Sequence, residues 1–184
     1  IRALLERWWR SGEVYLEKPD VSSERNSVLH YFTRVFPEAL MLSDNRLKYT
    51  WKSFGFNRKT MRDPDNYPTL SFGSWVGGDR DGHPYVTADV TRHTLMEHRL
   101  AALNLLSAQM TQLAAEMSFS DYRNPIPEEL LGRISQMKSL LGADGEAAVS
   151  RNNHEPWRQY LNLLNLKLEN TRIEKFGLEG TWYA

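Results

Sequence analysis

The chain contains no cysteine, which excludes disulfides and thiolate metal sites and suits a reducing compartment. It also lacks a surplus of charge, since Lys plus Arg and Asp plus Glu both number 23. Without a net field, attraction to nucleic acid or an anionic membrane has no global electrostatic basis, and neither partner is expected. No apolar run approaches the roughly 20 residues that cross a bilayer. The first residues lack the basic, apolar and small-residue order of a secretory signal, so a cytoplasmic location is expected. An initiator Met, internal repeats and low-complexity tracts are missing as well. The chain opens in helical spacing at Ile1 and stops at Thr181-Trp182-Tyr183-Ala184, so both ends read as cut from a longer protein.

What is present is ordinary globular material: 184 residues, 41% apolar and 25% charged, enough for one folded domain or a slice of a larger one. Apolar spacings of three and four predict a mainly α-helical chain. Leu4, Leu5, Trp8 and Trp9 mark a first helix running to about Leu16, with Lys18-Pro19-Asp20 as its punctuation. Ser22 or Ser23 caps a second, which carries Val28, Leu29, Phe32, Val35 and Phe36 and is kinked or interrupted by Pro37. A third begins near Ser43 or Asp44, holds Leu47, Trp51 and Phe54, and stops at Gly55. Residues 57–68 form an exposed connection, and Leu70 to Val76 alternates large apolar with small residues, predicting one short strand.

Thr87 caps a long helix whose seam runs through Leu103, Leu106, Met110, Leu113 and Met117. After Asn124-Pro125-Ile126-Pro127, a further helix carries Leu130, Leu131, Ile134, Met137 and Leu141 and ends at Gly142, with a polar loop or frayed stretch from Asp144 to Asn153. A last helix opens at Pro156, turns Trp157, Leu161, Leu164 and Leu168 to one face, and ends near Gly177. The expected division is 1–56 helical, 57–86 connection, strand and glycine-rich loop, and 87–184 helical.

The chemistry concentrates in Trp75-Val76-Gly77-Gly78-Asp79-Arg80-Asp81-Gly82-His83-Pro84. A glycine-rich turn leading into a helix presents backbone amides to anions, and Arg80 supplies a planar donor fork. Two readings are open: Asp79 and Asp81 orient Arg80 toward an anion or bind a cation, or the three lock the turn by internal salt bridges. Trp75 reads from the residues alone as a packing residue at a strand end. His93, Glu97 and His98 lie close on the long helix but offer a two-point metal match without a third ligand. Met96, Met110 and Met117 read as helix-packing residues. Arg58-Lys59 with Arg62 is a solvated connection or an allosteric phosphate site.

The run Ser74 to Pro84, with Val86-Thr87-Ala88-Asp89-Val90-Thr91-Arg92, resembles the W-M-G-G-D-R-D-G-N-P core and V-T-x-x-V/I-T-R continuation of the phosphoenolpyruvate carboxylases. Glu155-Pro156-Trp157-Arg158 and Thr171-Arg172 are similar to that family's E-P-Y-R helix and T-R ending, and Trp8-Trp9-Arg10-Ser11-Gly12-Glu13 is similar more loosely. His83 and Val76 depart from the family's Asn and Met.

The resemblance implies an internal fragment of the amino-terminal half of a lyase that forms oxaloacetate and phosphate from phosphoenolpyruvate and bicarbonate. Such enzymes replenish the tricarboxylic acid cycle by carbon dioxide fixation. It implies Mg2+ or Mn2+ with ligands outside this fragment, the remainder of the polypeptide as partner, and a homo-oligomer. The strand would belong to an α-helix-rich α/β barrel, with Trp75, Gly77, Gly78, Asp79, Arg80, Asp81 and Gly82 forming an active-site loop and no catalytic residue within the chain. The alternative is a non-catalytic helical module that binds a partner or an anionic effector.

The family's T-A-H-P-T histidine segment, its lysine-bearing segment and its arginine-rich glycine loop do not occur in these residues. The isolated chain, supplied with substrates and Mg2+, is therefore expected to form no oxaloacetate above a buffer control; turnover would contradict this.

Overall fold

The computed structural model describes residues 1–10, 20–81 and 84–175. Contacts divide the chain into two units, Ile1–Thr94 and Leu95–Ala184. The α-helices are α1 (Arg2–Arg10), α2 (Val21–His30), α3 (Phe36–Ser53), α4 (Ala88–Glu116), α5 (Glu128–Ser150) and α6 (Pro156–Lys175). The mainly helical expectation is met. The predicted extension of α1 to Leu16 and the end of α6 near Gly177 lie outside the described residues.

In the first unit, Asp20 caps α2 in place of either predicted serine, its carboxylate accepting the Ser23 amide at 2.7 Å. Hydrogen bonds from Ser23, with a smaller contribution from the Arg25 charge, hold Asp20 below the usual carboxylate pKa. An ionised cap also opposes the positive end of the helix dipole, which a serine does not. Pro37 neither ends the helix nor leaves it regular. A π-helical segment, Tyr31–Val35, precedes it, and the Phe36 amide reaches back to the Tyr31 carbonyl. Proline lacks an amide donor and crowds the carbonyl four residues earlier; widening the helix by one residue accommodates both effects.

Helix α3 then runs unbroken from Phe36, without the predicted restart at Ser43 or Asp44. It ends where expected: the amides of Gly55 and Phe56 return to the carbonyls of Lys52 and Trp51 at 3.1 and 3.2 Å. Trp51 Nε1 donates to Asn57 O at 3.0 Å, fastening the exit. The following connection holds two 3-10 turns, Thr60–Arg62 and Pro64–Asn66. Tyr67 Oη donates to Met61 O at 2.8 Å across them.

The predicted strand from Leu70 to Val76 is not formed, and no strand occurs among the described residues. Alternation gives a segment two faces, but a strand also requires a neighbour to complete its ladder. Leu70, Phe72 and Trp75 are 59%, 48% and 81% exposed. What holds this segment instead is a ring: Phe72 stacks on Phe36 of α3 with centroids 4.3 Å apart.

In the second unit, α6 is linked to two helices. It packs along α5, and Asn165 ties it to α4, accepting from Ser107 at 2.6 Å and donating to Thr111 at 3.1 Å. Leu103, Ala114, Ile134 and Leu161 form buried positions of this unit, and Leu163 is fully enclosed. Of the predicted α4 seam Leu103 is buried, whereas Leu106 and Leu113 remain 50% and 43% exposed.

Gly142 bends α5 rather than ending it, and the predicted loop from Asp144 is helical to Ser150. Its backbone, at φ 59 and ψ −135, lies in a region reserved for glycine. Beyond the bend, a Cβ on Gly145 would fall 2.8 Å from Lys138 O and 3.0 Å from Leu141 Cβ, so the chain doubles back at van der Waals contact. Lys138 Nζ and Glu146 Oε1 pair across the bend at 3.2 Å. Gly142→Ala is expected to destabilise this unit by about 1–3 kcal/mol through backbone strain alone. Native-state amide exchange across α5 and α6 checks this; unchanged protection would contradict it.

Candidate functional site

The loop after Phe72 is built by short-range hydrogen bonds. Ser74 Oγ accepts the Val76 amide at 3.1 Å, and Trp75 O accepts both the Gly78 and Asp79 amides at 2.9 Å. Two donors on one carbonyl force a tight reversal centred on Gly77, whose φ is +74. A Cβ there would overlap Thr94 Oγ1 and lie 3.0 Å from Thr94 Cβ. Thr94, on α4, is 3% exposed, and its hydroxyl has no hydrogen-bond partner among the described residues. Thr87 starts α4 as predicted, accepting the Val90 amide at 3.3 Å. The loop backbone therefore rests directly on the first turns of α4.

The candidate residues divide accordingly. Gly77 is buried as the foot of the loop, whereas Trp75, Gly78, Asp79, Arg80 and Asp81 face outward. Gly82 and His83 lie outside the described residues. The internal salt-bridge lock is not formed among the described residues. Asp79 Oδ1 instead accepts the Asp81 amide at 3.0 Å. A short carboxylate two residues from an amide closes such a turn with little chain ordering, whereas a guanidinium must fold back to reach its neighbours. The Arg80 fork is left exposed.

Sequence reasoning missed two parts of this site. Thr94 belongs to it through Gly77, and its signal was a small residue seven positions after the Thr87 cap. Beside Trp75 lies a cavity of about 300 Å³ walled by Val28, Tyr31, Phe32 and Phe36. The signal there was the four-residue spacing of Val28, Phe32 and Phe36, read only as core.

The Glu155-Pro156-Trp157-Arg158 and Thr171-Arg172 motifs lie in the second unit and have local partners. Glu155 accepts from Ser118 at 2.8 Å and from Asn152 and Arg158 at 3.3 Å each, anchoring the start of α6. Thr171 is buried and donates to Lys167 O, and Arg172 pairs with Glu169. No group of three His, Asp or Glu side chains able to hold a metal stands together among the described residues.

The family described as phosphoenolpyruvate carboxylase matches residues 1–179. The phosphoenolpyruvate carboxylase of Methylorubrum extorquens is 36% identical over 96% of this chain and 19% of its own length. That of a Nostoc species is 33% identical over 93% of this chain and 16% of its own. Phosphoenolpyruvate carboxylase 1 of Chlamydomonas reinhardtii is 32% identical over 94% and 18%. The chain thus spans less than a fifth of the length of these relatives. No solved structure matches it.

Gly77→Ala should combine two separable effects, a left-handed backbone penalty of about 1–2 kcal/mol and displacement of Thr94. Adding Thr94→Ala removes the displaced side chain but leaves the backbone penalty. Unfolding midpoints are therefore expected to recover in part; full recovery, or none, would contradict this account of the contact.

Proposed function

We propose, from the premise that the chain belongs to the phosphoenolpyruvate carboxylase family, that it forms one wall of the active site of such an enzyme. The complete protein would join bicarbonate to phosphoenolpyruvate, giving oxaloacetate and phosphate. The observation that carries this reading is the loop geometry: Gly77 pinned on Thr94, Trp75 O holding two amides, and the Trp75 and Arg80 side chains left outward-facing.

In the proposed reaction a bicarbonate oxygen attacks phosphorus, and the bond from phosphorus to the enol oxygen breaks. The products are carboxyphosphate and the enolate of pyruvate. Carboxyphosphate then releases carbon dioxide and phosphate, and the enolate carbon attacks the carbon dioxide. Two needs follow: cationic donors for the charge on the transferring group, and a dry wall that keeps water from protonating the enolate. Arg80, with its fork uncommitted to Asp79 or Asp81, suits the first. Trp75, an apolar surface beside an apolar cavity, suits the second.

No three-residue ligand set for the divalent metal of this chemistry stands among the described residues. The remaining polypeptide is proposed to supply those ligands and to complete an α-helix-rich α/β barrel. Exposed Leu4, Leu5 and Trp9 on α1 and exposed Leu70 support burial against further chain. No helix among the described residues is long and apolar enough to cross a membrane. A cytoplasmic homo-oligomer is proposed.

In the complete enzyme, Trp75→Ala is expected to raise pyruvate formed per oxaloacetate by about tenfold, the effect of roughly 1.4 kcal/mol of lost shielding. An unchanged ratio and rate in a folded variant would leave Trp75 a packing residue. Arg80→Lys keeps the charge and loses the fork, so it should raise KM for phosphoenolpyruvate by about tenfold. Wild-type kinetics would remove Arg80 from the site.

A further inference from the structure

The active-site reading leaves open what sets the position of Trp75, which no strand partner holds among the described residues. Three features of the first unit converge on it. Phe72, three residues earlier, stacks on Phe36 with centroids 4.3 Å apart and planes 21° apart. Phe32 stands 5.7 Å from Phe36 and 6.4 Å from Phe72, closing a triad of rings. Phe32 and Phe36 also wall the cavity whose other side is Gly73 to Val76.

The triad includes Phe32, which lies within the π-helical segment Tyr31–Val35, and Phe36, whose amide closes that segment. Residues four apart are offset by only about 40° around a helix axis, so Phe32 and Phe36 lie on one face. Here the widened turn before Pro37 is where Phe32 and Phe36 come to frame one cavity and receive Phe72. The segment from Phe72 to Trp75 is therefore held at two points, by a ring stack at Phe72 and by the packed Gly77 beyond Trp75.

We propose that Phe36 and Phe72 are positioning residues for Trp75. Their stack sets where the indole stands against the cavity. The inference rests on the reading of Trp75 as the dry wall of a carboxylase site. Neither phenylalanine touches the reacting atoms in that reading, so substitution should change how the enolate is partitioned rather than how the anion is bound.

The test uses the complete enzyme and three sets of variants. Phe36→Leu and Phe72→Leu keep apolar volume but lose the stack, and Phe36→Tyr keeps a stacking ring. Phe54→Leu, an exposed ring at the far end of α3, serves as the control. Pyruvate per oxaloacetate is expected to rise about two- to tenfold in both stack-breaking variants, the range a ring pair supports. KM for phosphoenolpyruvate should stay at its parent value. Phe36→Tyr should restore the parent ratio, and Phe54→Leu should leave it unchanged.

Acrylamide quenching of the Trp75 emission, isolated by difference from a Trp75→Phe enzyme, gives a second readout independent of turnover. Its quenching constant should change with the stack and recover in Phe36→Tyr. If Trp75→Ala alters partition while both stack-breaking variants leave partition and quenching at parent values, the positioning role is overturned. If quenching responds to the stack but Trp75→Ala itself leaves partition unchanged, the positioning survives and the dry-wall reading fails.

Discussion

The contact between Gly77 and Thr94 is the constraint from which the rest of the site follows. The proposed role of Trp75 and Arg80 requires a loop that does not wander, because each misplaced ångström weakens charge contacts and admits water. Here the fixing is done without a side chain. The absence of a Cβ lets the loop backbone settle on a buried helix position, and the left-handed turn at Gly77 directs two amides to one carbonyl. Helix α4, begun at its Thr87 cap, supplies the rigid floor.

Much of this was legible in the residues. Glycines between a tryptophan and an arginine, followed by a capping threonine, specify a turn entering a helix, and both features are found. Helix ends at Gly55 and starts at Thr87 and Pro156 follow from backbone chemistry that acts within a few residues. What was not legible depends on longer-range or competing terms. Asp20 outcompeted Ser22 and Ser23 as a cap because charge adds to hydrogen bonding at a helix start. Gly142 signalled a break, but Gly145 made it a fold-back through a contact only the bent chain creates. The alternation from Leu70 to Val76 described a strand's faces without its neighbours, and Phe72 found a ring to stack on instead. Leu163, off the face marked by Leu161, Leu164 and Leu168, is fully buried because α6 has neighbours on more than one side.

Arg80 illustrates how a local alternative decides a functional question. Two flanking carboxylates suggested a clamp, yet an aspartate can close a turn onto a nearby amide at smaller entropic cost than holding a long side chain. Asp79 does this, and the guanidinium is left exposed. The same division of labour recurs in the second unit, where Glu155 and Arg158 serve the start of α6 and its packing. Motif residues of one family thus split between a loop that faces outward and a hairpin that holds helices together.

The Gly77 loop is fixed by its own backbone contacts before any ligand is present. Exchange of the Gly78 and Asp79 backbone amides in the complete enzyme, followed with and without a non-reacting phosphoenolpyruvate analogue, tests it directly. Both amides donate to Trp75 O, so protection well above that of an open chain is predicted without ligand, with little further gain on binding. Exchange at open-chain rates in the free enzyme, with protection appearing only on addition of the analogue, would contradict a preformed loop.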